Sequence, residues 1–217
     1  MPPAPWWHAF ATRPARRVAA GAFVYLTGDR TGGVYLLRDG LVQTSLVWRD
    51  GRELIHRLVR PGDLFGETRL AAGDSGEQAR AIEASEIVEI PASLLVAHLG
   101  REPADLERFL AMLGLRLAQV QETIRRLAFA TAPERLCLVL LDLARDIGQE
   151  TGTVTNIPHH FTQDELGRMV GVRREVVSGY LNRLRDRQAV SYTRTGVIQV
   201  NRDALARYAL SLARGEL

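Results

Sequence analysis

Between residues 15 and 91 the apolar residues fall in short runs, RRVAAGAFVYL, VYLLRDG, LVQTSLVW, RELIHRLV and ARAIEASEIVEI. Turn pairs at Gly28-Asp29, Asp39-Gly40, Asp50-Gly51 and Gly62-Asp63 break them every 11 or 12 residues. This is the spacing of an all-β sandwich or barrel, and it predicts a roll of about eight strands. The repeated RDG at 38–40 and 49–51 marks two successive hairpins. After Pro91 the period lengthens. Leu106, Leu110, Leu113, Leu117, Val120, Ile124 and Leu127 follow one another at steps of 4 and 3, an a/d seam. So narrow a stripe suits a partner helix in a parallel homodimer better than a globular core; the competing reading lays the helix across its own barrel. The helix is expected to end near Ala132-Pro133, where proline opens the next one.

A second apolar helix is predicted over 133–149, followed by a polar loop, TGTVTNIPHHF, with room for a short strand. In FTQDELGRMVGVRREVVSGYLNRL two helices flank Gly171, and Thr162 with Glu165 three residues on forms a capping box. The runs VSYTRT and VIQVN, joined around Thr195-Gly196, add a hairpin, so the segment has the order of a winged helix-turn-helix. On the second helix Val172, Val176, Val177, Tyr180, Leu181 and Leu184 are expected to pack inward, against Leu166, Met169 and Val170. Arg173, Arg174, Glu175 and Ser178 then face outward at the end that enters a major groove. An arginine there can fork onto guanine and a glutamate can accept from cytosine. Arg183, Arg185 and Thr162 suit phosphates, as does Arg187. A basic helical hairpin that is only a stable tail is the plainer reading; the wing, the capping box and the upstream seam count against it.

Composition sharpens this picture. A chain of 217 residues is comfortable for two domains, and 46% hydrophobic with 24% charged residues is an ordinary globular balance. All 28 basic residues are arginine. Residues 168–187 hold six arginines against Glu175 and Asp186, a local net of +4 beside +3 for the chain. Cys137, the only cysteine, sits in the apolar run RLCLVLLDL and reads as a small hydrophobe; alone it holds no iron–sulfur cluster. The N-terminal stretch has no signal-peptide core and no run is long enough to cross a bilayer, which predicts a cytoplasmic chain without a membrane partner. P-loop, G-x-S-x-G and H-E-x-x-H patterns are all missing, so no enzyme is predicted.

In order, the glycine-punctuated β-roll, RPGDLFGE (60–67), RLAF (126–129) and TQDELGRMVGVRREVVSGYL (162–181) resemble the Crp–Fnr family of bacterial transcription regulators. The resemblance implies an α+β architecture. Residues 1–91 would form a jelly-roll like those that bind cyclic nucleotides, 92–131 a short helix and the dimerisation helix, and 132–217 the winged helix-turn-helix. It also implies a homodimer on a two-fold pseudo-palindromic site, its recognition helices roughly 34 Å apart. RNA polymerase would be a partner, and the loop 148–160 lies where relatives touch it; activation is expected over repression.

The departures bear on the effector. In members that bind cAMP a Gly-Glu pair is followed by Arg-Ser-Ala: glycine and backbone amides cradle the cyclic phosphate, glutamate holds the ribose and arginine neutralises the phosphate. Gly66-Glu67 are in place, but Ser75 and Gly76 stand where Arg-Ser belongs, and Arg80 is the arginine nearby. Losing that charge-assisted bond removes roughly 1.5–3 kcal/mol. On the dimer helix, Val120-Gln121 replace the Thr-Ser that touches adenine. The pocket reads as vestigial or altered, and no cAMP cofactor is expected; the alternative is a roll that takes another small effector. His56 reads as an ordinary strand residue, and His159-His160 make a weak metal pair, so no metal is expected. A dimeric scaffold using the helix-turn-helix for protein contacts is a further alternative. In the recognition helix Gly179 stands where relatives carry a basic residue.

Overall fold

The computed structural model describes residues 6–29, 32–71, 76–194 and 196–215. It divides into two compact units, Met1–Gln121 and Glu122–Leu217. Ser75 and Thr195 lie outside the described residues.

The first unit is the expected eight-stranded roll. Its strands are β1 (Arg16–Val18), β2 (Phe23–Tyr25), β3 (Gly33–Asp39), β4 (Val42–Val47), β5 (Glu53–Val59), β6 (Leu64–Phe65), β7 (Glu77–Ala81) and β8 (Ser85–Pro91). They form two antiparallel sheets ordered β1-β8-β3-β6 and β2-β7-β4-β5. Strand alternation organises two cores. Tyr35 and Leu37 of β3 point into the roll with Val24, Val42, Phe65, Ala79 and Ile87. Val34 and Leu36 point the other way and are covered by Phe10, by Leu95 and Leu99 of α1 (Ala92–Leu99) and by Phe109 of α2 (Pro103–Phe129). α2 is 27 residues long and carries two stripes. Phe109, Met112 and Leu113 lie on the second core. Leu106, Leu110, Leu117, Val120, Ile124 and Leu127 are exposed. Leu113 therefore departs from the expected seam: it is half-buried against its own roll.

In the second unit α3 (Ala132–Asp146) is followed by β9 (Gln149–Thr151), β10 (Val154–Asn156), α4 (Gln163–Val170), α5 (Arg174–Asp186), β11 (Val190–Tyr192), β12 (Ile198–Val200) and α6 (Arg202–Ala213). Thr131 caps α3 through Glu134 with proline in its first turn, as Pro133 predicted. The stretch expected to be mostly loop is a complete hairpin, β9–β10, and it extends the wing to a four-stranded sheet ordered β11-β12-β10-β9. Polar Gln149, Glu150 and Thr151 form its edge, which is why hydrophobic patterning missed it. Leu136, Cys137, Leu140 and Leu143 of α3 are buried, and α3 packs on α4, α5 and α6. Burial, then the Glu134 charge, pushes the Cys137 thiol up to about 12.

Candidate nucleic-acid interface

The helix-turn-helix is built from its caps. Thr162 Oγ1 accepts from the Glu165 amide at 3.1 Å, and the Glu165 carboxylate accepts from the Thr162 amide at 2.8 Å. At the other end of α4, Gly171 takes φ 74°, the left-handed conformation glycine adopts without strain. Both the Gly171 and Val172 amides then reach the Gly167 carbonyl, at 2.8 and 2.9 Å. Gly167 is required as well, because a Cβ there would stand 2.8 Å from the Val172 carbonyl oxygen. Leu166 and Val170 of α4 and Val177, Leu181 and Leu184 of α5 are buried.

This burial sets the face of α5 that is left over. Arg174 and Glu175 open the helix in solvent, Arg173 precedes it as the N-cap residue, and Ser178 is half-buried one turn on. Val176 was expected inside; it is 39% exposed, an apolar group beside Arg174 and Glu175 of the kind that can meet a thymine methyl. Gly179 has no atom within 4 Å of where a Cβ would stand. Further along, three arginines rest over tyrosine rings: Arg183 over Tyr180 at 5.5 Å, Arg185 over Tyr192 at 5.9 Å and Arg187 over Tyr208 at 4.7 Å. A ring face supports a guanidinium without cancelling its charge. Arg168 is instead paired with Asp164 at 3.1 Å. An open cleft of about 520 Å³ runs between the two helices and the wing; Thr162, Gln163, Arg174, Tyr192 and Gly196 are among its walls. Beside the Asp164 carboxylate, which Arg168 holds, it offers groups expected at an anionic backbone: a helix N-terminus, hydroxyls, an amide and a cation.

Among the described residues, those predicted for the effector do not come together. Gly66 has φ 77°, and a Cβ there would lie 3.1 Å from the Tyr35 ring and 3.5 Å from Tyr25, so it is kept open by the aromatic stack of Tyr25, Tyr35 and Phe65. Glu67 accepts from Arg57 at 3.3 Å and has Arg116 of α2 at 3.6 Å. Both guanidinia also approach Asp63, each at 3.7 Å. Arg80 is turned away from the interior. Glu77, Ala79 and Ala81 share its strand but point inward, whereas its Nε donates to the Gly21 carbonyl at 2.9 Å and its guanidinium lies over Phe23. Strand parity thus keeps Arg80 from taking the place of the missing arginine. Val120 and Gln121 lie exposed on α2.

Sequence reading missed the interior carboxylate. Tyr25 Oη donates to Glu77 at 2.5 Å, His56 Nε2 lies 3.2 Å from Glu77 and 3.2 Å from Thr44 Oγ1, and Thr68 donates to Glu77 at 3.4 Å. Burial works to raise the Glu77 pKa, but the bonds from His56 and Tyr25 outweigh it and hold the carboxyl below its usual range. Burial and the neighbouring Glu77 charge push the Tyr25 phenol far up. The parity of Glu77 with two alanines was a readable signal; so was Arg116, which continues the inward stripe of Phe109, Met112 and Leu113 at helical spacing.

Residues 15–101 match the cyclic nucleotide-binding domain family, and residues 134–208 match the Crp-like helix-turn-helix domain family. The chain belongs to the Crp–Fnr family of transcription regulators. It is 30% identical over 186 residues to the cyclic AMP receptor protein of Thermus thermophilus, covering 85% of this chain and 82% of that one. It is 27% identical over 190 residues to a CRP-like cAMP-activated global transcriptional regulator of Mycobacterium tuberculosis, covering 87% and 85%. Its fold matches a solved CRP/FNR-family transcriptional regulator of Thermus thermophilus with a TM-score of 0.74 at 26% identity, over 91% and 99% of the two chains. Like these Crp–Fnr proteins, and unlike an enzyme, it is a DNA-binding regulator. Among the described residues no helix is long and apolar enough to cross a membrane.

Proposed function

We propose that the chain binds a two-fold pseudo-palindromic DNA site as a homodimer and activates transcription there through RNA polymerase without needing cAMP. The observation that carries the dimer is the seam of α2, with Leu110, Leu117 and Ile124 at 57, 60 and 58% exposure in a single protomer. A coiled-coil partner removes that apolar surface from water. Replacing Leu117 and Ile124 together with aspartate is expected to give monomers by sedimentation and to abolish binding to the full site; a dimer that survives overturns the assignment.

Independence from cAMP rests on the pocket. Glu67, which would hold the ribose, is already paired with Arg57 and Arg116. Arg80 faces outward. Glu77 adds a buried anion to the interior of the roll, which repels an anionic ligand. Calorimetric titration of cAMP is expected to give no heat, and micromolar binding would overturn the claim. A second reading, a different effector in the roll, is favoured by one detail: Arg57 Nε is buried without a hydrogen-bond partner. Selection of bound sequences from random DNA by the pure protein, with and without cyclic nucleotides, separates the two. A palindrome selected without ligand supports the first; selection only with added ligand supports the second.

The contact with polymerase is assigned to the β9–β10 hairpin and the loop that follows it, by their place in the family's DNA-binding domain. Substituting its exposed residues should remove activated transcription and leave DNA binding intact.

A further inference from the structure

Only Ala130 and Thr131 separate α2 from α3. So short an elbow fixes where the DNA-binding elements start, but not at what angle. Arg135, half-buried on the first turns of α3, holds two carbonyls at once: its Nη1 donates to the Ala130 carbonyl and its Nε to the Val170 carbonyl, both at 2.8 Å. The first acceptor closes the end of the dimer helix. The second ends α4 at the turn of the helix-turn-helix, whose own cap bonds go to Gly167 instead. Carbonyls at helix C-termini lack intrahelical partners and sit at the negative end of the dipole, so each favours a cation. The rigid fork of arginine can serve both, which a lysine ammonium cannot match in direction. On the other side of the elbow, Arg126 of α2 donates to Glu122 at 3.0 Å and pairs with Asp142 of α3, which Arg145 also holds at 2.8 Å.

We propose that Arg135 is a positioning residue: with the Arg126–Asp142 pair it sets the angle between the dimer helix and the recognition helix, and so the half-site spacing the dimer accepts. This rests on the reading above that a dimer binds a palindrome. Rotating α4 and α5 against the end of α2 must break one of Arg135's two bonds, while the base-reading side chains of α5 are untouched by the change.

The test uses the full-length protein and duplexes that keep one pair of selected half-sites but differ by single base pairs in the spacer. Wild type is expected to favour one spacing. Arg135→Met is expected to bind that spacing about tenfold more weakly, and to discriminate less among neighbouring spacings, with half-site base preference unchanged. Arg135→Lys is expected to fall between the two. Asp142→Asn, which leaves Arg135 in place, should flatten the spacing preference in the same direction and serves if Arg135→Met does not fold. Uniform weakening at every spacing, or an unchanged spacing profile in Arg135→Met or Asp142→Asn, overturns the proposal and leaves the DNA-binding reading standing. Failure of wild type to select any palindrome overturns that reading, and the proposal with it.

Discussion

In the β-roll, Arg57 and Arg116 sit among Asp63 and Glu67 at 3.3 to 3.7 Å, while on α5 Arg174 stands in solvent and Arg183 and Arg187 lie on tyrosine rings. The same side chain is paired with carboxylates inside the roll and left without one on α5. Burial decides which. A guanidinium taken out of water needs a carboxylate beside it, whereas an exposed one remains available for phosphates and base edges. The roll keeps the residue types of a ligand pocket but directs them at one another. Helix α5 directs its own outward.

This contrast can be broken at several points. Arg57→Met leaves Glu67 and Asp63 short of a cation and is expected to cost roughly 3 kcal/mol in denaturant unfolding, with no change in the bases selected. Arg174→Ala should do the reverse, losing roughly 1–3 kcal/mol of affinity for the selected site with specificity relaxed at one position and the thermal midpoint unmoved. Replacing Arg183 and Arg185 by alanine should weaken binding to all sequences alike; the salt slope should fall by about 0.9 for each phosphate that is no longer neutralised.

Glu77 sharpens the comparison through pH. Its carboxyl is held below the ordinary 4.5, so the stability it adds is complete above that pH and is lost as pH falls through the lower folded value. Thermal midpoints should therefore drop on acidification below about 4.5, and Glu77→Gln should flatten that drop. The smallest effect is expected at Gly179, where open space permits a side chain: Gly179→Ala should add up to about 1 kcal/mol of helix stability, and Gly179→Arg should alter selection at one base of each half-site.

Much of this was legible in the chain. Turn spacing gave the strands of the roll, and Thr162, Glu165 and Gly171 gave the helix-turn-helix, because capping and left-handed turns are local chemistry. The exposed apolar stripe of α2 was legible too, except at Leu113, where one position serves the roll instead. The pocket was harder, since which of Arg80 and Glu77 points inward depends on strand parity across a loop. The Arg135–Val170 bond joins residues 35 positions apart, and no local pattern announces it. Val176 escaped because a helix face defined by hydrophobicity alone assigns every valine to the core.

Cys137 is the chain's one cysteine, buried in α3 with its thiol shifted well above neutral pH. It should stay silent toward maleimides and mild oxidants while the protein is folded. A cysteine engineered at Leu117 or Ile124 would then be read without background: a cross-linked band would support the proposed parallel dimer and its absence would count against it, and a fluorophore on α5 would report contact with DNA in a chain that never needed its native thiol removed.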